Sequence, residues 1–131
     1  MPYEVSTESS GFGVVVSFSG VVSGPELLDL NDRLNNEESF AQCRYQIWDF
    51  SKATRLDLTA DEIRAIAMQD APASAVNPTL NIAIVGEHSF FGNRERIFLI
   101  FEEVWTAFRP KFFTDFEAAR KWASNEEGTR E

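Results

Sequence analysis

The chain contains only one cysteine and one histidine, Cys43 and His88, in 131 residues. A single cysteine excludes a disulfide within the chain and fits a reducing compartment. The two residues are too few for the usual four-ligand zinc site, and the carboxylates do not follow the spacing of a calcium loop. Nothing in the sequence places Cys43 beside His88 as a nucleophile and its base. We therefore expect no metal, no cofactor and no enzymatic activity.

Basic residues are also scarce, because 12 lysines and arginines stand against 21 aspartates and glutamates, which gives a formal net charge of −9. A field of this sign repels phosphate backbones, so we expect no nucleic-acid partner. The longest apolar runs are only a few residues, whereas a helix that spans a membrane needs about 18. The first ten residues lack the basic start and apolar stretch of a secretory signal. We expect a cytoplasmic protein without a transmembrane segment.

Aromatic residues, in contrast, are plentiful, since they make up 13% of the chain and include twelve phenylalanines. With a hydrophobic content of 44%, a chain of this length can form one core without disulfides or metals. No internal repeat or linker divides it. We predict a single domain over residues 1–124 and a flexible polar tail over residues 125–131.

The first third of the sequence predicts a hairpin and a helix. Residues 3–6 and 12–19 have strand character and are separated by a turn signal. Ser23 and Glu26 then form a capping-box pattern, with proline in the first helical turn and leucines at helical spacing beyond it. This pattern predicts a helix over residues 25–35.

The middle of the sequence predicts a buried strand and a second capped helix. Residues 45–50 are short, aromatic and apolar, as in a central strand. Thr59 and Glu62 form another capping box, and apolar residues follow on one helix face. We expect this helix to end before Pro72 and residues 71–78 to form an irregular, mobile connection.

The last third predicts two more helix–strand units. Residues 80–85 have a buried strand pattern, residues 93–108 a long helix, and residues 112–113 a short strand. Thr114 and Glu117 form a third capping box before a final helix. Strands that alternate with helices imply an α/β domain with a mixed sheet of about five strands, a parallel centre and four helices.

Two segments resemble a known family. YQIWDFSKATRLDLTADEI (residues 45–63) joins a strand, an acidic loop and a helix start, and KFFTDFEAARKWA (residues 111–123) joins a short aromatic strand, an acidic turn and a helix. With the element order over residues 12–124, they resemble the SpoIIAA-like family, which is related to the STAS domain of anti-sigma-factor antagonists and to CRAL-TRIO lipid-binding domains. The resemblance implies a STAS-like fold and a non-enzymatic, bacterial regulatory domain.

The resemblance also implies a phosphorylation switch. In anti-sigma-factor antagonists, a hydroxyl residue that opens the helix after the second acidic position accepts phosphate, which blocks docking of a protein partner. Asp49 and Asp57 hold the two acidic positions here, and Thr59 holds the acceptor position. A phosphate suits a helix N-terminus because free N–H groups and the positive end of the dipole face it. Thr59 acting only as a helix cap explains the same residue.

Six late aromatic residues form a predicted ligand-binding or membrane-facing surface: Phe90, Phe91, Phe98, Phe101, Trp105 and Phe108. A helix in a small domain needs only one apolar stripe, and the first two of these residues stand in a loop. Residues 88–113 also carry four basic side chains against three acidic ones, so this region is not acidic like the rest of the chain. Packing of the same rings in the core or in a homodimer is the alternative.

An anion contact is a further hypothesis for the start of the late helix. Asn93 and Arg94 follow Gly92 there, and free backbone N–H groups beside an arginine attract anions. Asn93 as an ordinary helix cap is the alternative.

Two functions therefore remain open. The first is a non-enzymatic domain that binds a lipid or another small apolar molecule, or associates with a membrane surface. The second is a protein-interaction switch controlled at Thr59. The sequence leaves open whether the protein is a monomer or a homodimer.

Overall fold

The computed structural model describes residues 3–92, 94–104 and 108–124, without the side chains of residues 94, 98 and 101. In this part of the chain, five strands form one sheet in the order β1-β2-β3-β4-β5. They are β1 (Tyr3–Glu8), β2 (Gly13–Ser23), β3 (Tyr45–Asp57), β4 (Asn81–Val85) and β5 (Lys111–Phe113). β1 is antiparallel to β2, and the other neighbouring pairs are parallel. The predicted hairpin and mixed sheet are confirmed.

Helices connect the parallel strands. The described residues contain α1 (Gly24–Asn35), α2 (Ala60–Val76), α3 (His88–Phe91), α4 (Arg94–Val104) and α5 (Phe116–Ser124), with short 3₁₀ helices at Ser9–Gly11 and Glu38–Gln42. α3 is one turn inside the segment predicted as a loop, so these residues hold one α-helix more than the four predicted. None of the helices in the described ranges is long and apolar enough to cross a membrane. The α/β fold class is confirmed.

Two predicted capping boxes are present. At α1, the Ser23 hydroxyl accepts from the Glu26 N–H at 3.4 Å, and the Glu26 carboxylate accepts from the Ser23 N–H at 3.0 Å. At α2, the Thr59 hydroxyl accepts from the Glu62 N–H at 3.1 Å, and the Glu62 carboxylate accepts from the Thr59 N–H at 2.9 Å. Each helix begins here because these side chains satisfy N–H groups that have no partner within the helix.

The predicted end of α2 is wrong, because the helix continues through Pro72 to Val76. Proline removes one helical hydrogen bond, but the residues after it are held by distant contacts. Ala73 is buried against Phe40 and Cys43. Asn77 follows the helix, and its side-chain amide donates to the carbonyls of Phe40 at 2.9 Å and Cys43 at 2.7 Å. Most of the connection predicted to be irregular and mobile is therefore helical and anchored.

Other boundaries also differ from the prediction, among them the end of β2, which was predicted at residue 19 and lies at Ser23. β3 does not end at residue 50 but continues to Asp57, because β2 pairs beside it as far as Ser23. The cap of α5 is formed by Asp115 rather than Thr114, since the Asp115 carboxylate accepts from the Ala118 N–H at 2.9 Å. The predicted domain limits stay a prediction, and the predicted tail lies outside the described residues.

Helices cover both faces of the sheet. α5 packs on one face, where Ala119 and Ala123 meet Tyr45, Ile47 and Val85. α1, α2 and α4 lie on the opposite side, where the leucines of α1 pack against aromatic residues of β2 and β3. Alternate residues of β3 and β4 therefore face different helix layers.

A polar network joins the hairpin to α5. The Tyr45 hydroxyl donates to Glu8 at 2.6 Å, and Arg120 donates to both Glu8 carboxylate oxygens at 3.0 and 2.8 Å. The hydrogen bond from Arg120 is the main reason why the pKa of Glu8 is below its ordinary value. Gly13 lies directly against the Tyr45 ring, so a Cβ at this position would overlap the ring.

Candidate functional site

The two faces of the central strands are buried to different extents. On the α5 face, Ile47 and Ala83 are 0% exposed. On the other face, Trp48 of β3 and Ile82 and Ile84 of β4 remain only half-buried. The layer of α1, α2 and α4 therefore leaves part of the apolar sheet accessible.

A cavity of about 100 Å³ lies over this half-buried face. Its apolar lining combines sheet, helix and loop residues: Leu27, Trp48, Phe50, Leu56, Leu58, Ile63, Ile66, Ile82, Ile84, Phe91, Ile97, Pro110 and Phe112. An apolar cavity of about 150 Å³ in another protein holds benzene, whereas pockets for drug-sized ligands measure about 300–1,000 Å³. The cavity therefore suits a small apolar molecule, or the apolar end of a larger one.

Two polar residues, Asn31 of α1 and Asp70 of α2, also line the cavity. Asp70 is 3% exposed, and its Oδ1 accepts from the Asn31 amide at 2.9 Å and from the Asn35 amide at 3.0 Å. Burial raises the pKa of Asp70 to about 6, although both amide hydrogen bonds favour the ionised form. Asp70 is thus mainly a carboxylate at neutral pH.

Asp70 was not among the residues predicted for the site. The helical positions of Ile63, Ile66 and Ala67 continue to Asp70, which places a carboxylate on the apolar face of α2. This exception to the apolar pattern was the one signal in the sequence that could have identified Asp70. Nothing in the sequence indicated its hydrogen-bond partners on α1, which are more than thirty residues away.

Phe90 and Phe91 lie on α3 and fold back over the sheet. Each ring lies 5.6 Å from the Phe50 ring, between centroids, and the Phe91 ring also lies 5.0 Å from that of Phe112. Both residues are half-buried. Phe91 forms one wall of the cavity. The rings of Phe90 and Phe91, which were predicted to lie in a loop, therefore help to shelter an apolar site.

Phe108 is a core residue, which corrects its predicted place on an exposed surface. It is 1% exposed and packs with Phe40, Cys43 and Leu80, in a cluster away from the cavity lining. The Phe98 and Phe101 side chains and the whole of Trp105 lie outside the described residues, as do Asn93 and the Arg94 side chain. The predicted anion contact at Asn93 and Arg94 stays a prediction.

Thr59 and Asp57 lie at the exposed junction of β3 and α2. The hydroxyl of Thr59 forms the helix cap described above, and the Asp57 carboxylate pairs with Arg55 at 2.6 Å. Leu58, between them, is half-buried and lines the cavity. One short segment thus directs an apolar side chain inward and a hydroxyl outward.

Solved structures show which fold this arrangement represents. One, described as the anti-sigma factor antagonist SpoIIAA in its unphosphorylated form, matches with a TM-score of 0.57 at 10% identity, over 97% of this chain and 99% of that chain. Another, an uncharacterised protein of the DUF3478 family with a SpoIIAA-like fold from Shewanella loihica PV-4, gives a TM-score of 0.54 at 15% identity, over 92% and 91%. The chain has the SpoIIAA-like fold. No protein-family model matches the sequence of this chain, and no curated protein matches it either.

The fold separates the cysteine from the histidine. Cys43 is buried just before the start of β3, whereas exposed His88 follows the end of the parallel strand β4. The two residues therefore lie towards opposite ends of the sheet. Within the described ranges, no three histidine, cysteine or acidic side chains are grouped as metal ligands.

Proposed function

We propose that this SpoIIAA-like domain is a non-enzymatic binding module whose cavity accepts a small apolar molecule or the apolar end of a lipid. The main support is the half-buried apolar face of β3 and β4 beneath a cavity of about 100 Å³. A ligand in this space would cover more of the surface of Trp48, Ile82 and Ile84. Each Å² of apolar surface removed from water would contribute about 25 cal/mol to the free energy of binding.

The volume limits the ligand that fits without movement of the helices. A long acyl chain exceeds about 100 Å³, so only its apolar end fits unless an outer wall moves. α4 is the proposed mobile wall, because its packing is centred on α2, where Ile100 meets Ile63 and Ala67. The ion pair between Arg64 and Glu103 across these helices is exposed and adds little resistance.

A direct test fills the cavity from its floor. In Ile84→Phe, the larger side chain should occupy ligand space, whereas Val21→Phe adds the same ring at a position that is 53% exposed. The expected result in NMR titrations with hexan-1-ol is that wild type and Val21→Phe bind and Ile84→Phe does not. Equal affinity of all three proteins for hexan-1-ol would show that it binds outside the cavity. If wild type does not bind hexan-1-ol, the proposed function is wrong.

A membrane-facing role has weaker support. Phe90 and Phe91 would be the inserting residues, but their rings pack on Phe50. Liposome co-sedimentation of wild type and Phe90→Asp tests this role, and equal binding would exclude Phe90 as a membrane contact.

A protein-interaction switch at Thr59 is the second candidate. Its support is an exposed hydroxyl at the N-terminus of α2, where a kinase can reach it. The neighbouring carboxylates Asp57, Asp61 and Glu62 would repel a phosphate, and Glu62 would lose its place in the cap. Phosphorylation should therefore loosen the start of α2.

Peptide mass spectrometry of protein from its native cells tests the switch. A substantial phosphorylated fraction at Thr59 supports it, with exposed Thr54 of β3 as the internal comparison. For a partner identified in those cells, Thr59→Glu should weaken binding and Thr59→Ala should not. Equal binding by both variants would count against the switch.

A further inference from the structure

The lining of the cavity includes a buried carboxylate with an unused acceptor. Both amide donors to Asp70, from Asn31 and Asn35, bind Oδ1, and no described residue donates a hydrogen bond to Oδ2. None of the ion pairs within the described ranges includes Asp70. Asp70, which lines the cavity, therefore has acceptor capacity left on Oδ2.

The surroundings of Asp70 do not neutralise its charge. From α1 it meets the uncharged amides of Asn31 and Asn35, and the rest of the cavity lining is apolar. Gln69, beside it on α2, accepts a second hydrogen bond from Asn31 at 2.9 Å and donates to the Leu28 carbonyl at 3.2 Å. A buried carboxylate with neutral donors alone favours any ligand that brings a positive charge.

We propose that the cavity selects apolar amines, with the protonated nitrogen donating to Asp70 and the hydrocarbon lying against Trp48 and Ile84. This inference rests on the proposed ligand-binding function and narrows its ligand class. A hydrogen bond between two charged groups is stronger than one between neutral groups. The apolar lining of the cavity increases this difference because it screens charge less than water does. A fatty acid would instead bring a second carboxylate to Asp70 and be rejected.

The test uses three probes with the same six-carbon chain: hexylamine, hexan-1-ol and hexanoate at pH 7.5. Each is titrated into ¹⁵N-labelled protein, and Kd is read from the indole N–H of Trp48, which donates to Gln46 at 3.0 Å and belongs to a cavity-lining residue. The variants are Asp70→Asn and, as a control for attraction to the acidic surface, Asp29→Asn at an exposed position of α1.

Wild type and Asp29→Asn should bind hexylamine at least about tenfold more tightly than hexan-1-ol, with hexanoate weakest. Asp70→Asn should lose the preference for the amine and bind hexanoate better than wild type does. The order of the three probes on wild type is a test that does not depend on any variant folding.

Equal affinity of wild type for hexylamine and hexan-1-ol would overturn the amine inference and leave the apolar cavity as a binding site. The same holds if Asp70→Asn keeps the preference, or if Asp29→Asn loses it as fully as Asp70→Asn does. If no probe shifts the Trp48 signal, the proposed ligand-binding function fails as well.

Discussion

Replacing Asp70 with asparagine should stabilise the folded protein at neutral pH. The asparagine carbonyl oxygen has the position and shape to accept from Asn31 and Asn35 as Oδ1 does, but it carries no charge. Asp70 is 3% exposed, so wild type keeps an ionised carboxylate almost out of water above its folded-state pKa. Removing that charge removes its desolvation cost.

The magnitude follows from the two pKa values of Asp70. The pKa is 3.8 ordinarily and about 6 in the folded protein, because burial disfavours the charged form. Each pKa unit corresponds to about 1.4 kcal/mol, so the ionisation of Asp70 lowers the free energy of unfolding by about 3 kcal/mol. A raised carboxyl pKa stabilises the folded protein fully below pH 3.8, and this contribution is lost as the pH rises through 6. The advantage of Asp70→Asn should therefore grow between pH 4 and 7.

Urea unfolding followed by circular dichroism measures this advantage at several values of pH. The quantity to compare is the free energy of unfolding of Asp70→Asn minus that of wild type. We expect a difference near zero at pH 4 and about 2–3 kcal/mol above pH 7. Asp29→Asn, which removes an exposed charge from α1, should show only a small difference over the same range. A pH-independent difference for Asp70→Asn, or a variant less stable than wild type at pH 8, would refute the argument.

Substitutions at three further positions test the packing and polar contacts that position the site. Thr59→Ala should lower the free energy of unfolding by about 1 kcal/mol and Thr59→Ser should restore it, and equal stability of all three proteins would contradict the capping role. Gly13→Ala should cost about 1–3 kcal/mol, because its Cβ would meet the Tyr45 ring, and an unchanged melting temperature would argue against that contact. Glu8→Gln should cost about 1–3 kcal/mol at pH 7 because Arg120 loses its carboxylate. Since the pKa of Glu8 is below 4.5 in the folded state, this loss should shrink as the pH falls through that lowered pKa, and the same loss at pH 7 and pH 2.5 would contradict it.

The elements with local signals were predictable from the sequence. The caps at Ser23 and Thr59 join residues only three positions apart, so the residues that make them stand together in the chain. The apolar runs in β3 and β4, separated by a capped helix, were enough to predict parallel pairing and the fold class. Phe91 was singled out because a large apolar residue is unusual in a predicted loop; it lines the cavity, and its role in binding stays a prediction.

Distant contacts account for what the sequence left undecided. Proline predicts a helix end, yet α2 continues because Asn77 is held by carbonyls 34 and 37 positions away. β3 is long because β2 lies beside it, and no local pattern measures the length of a neighbouring strand.

The sequence by itself determined the alternation of strands and helices and the helix starts, because periodicity and caps act within a few residues. Only the tertiary structure decided which apolar face stays partly open, since burial depends on how three helices cover two strands. It also decided the role of Asp70, which the chain shows as one acid among many. Folding buries it to 3% exposure against Asn31, in the lining of the cavity.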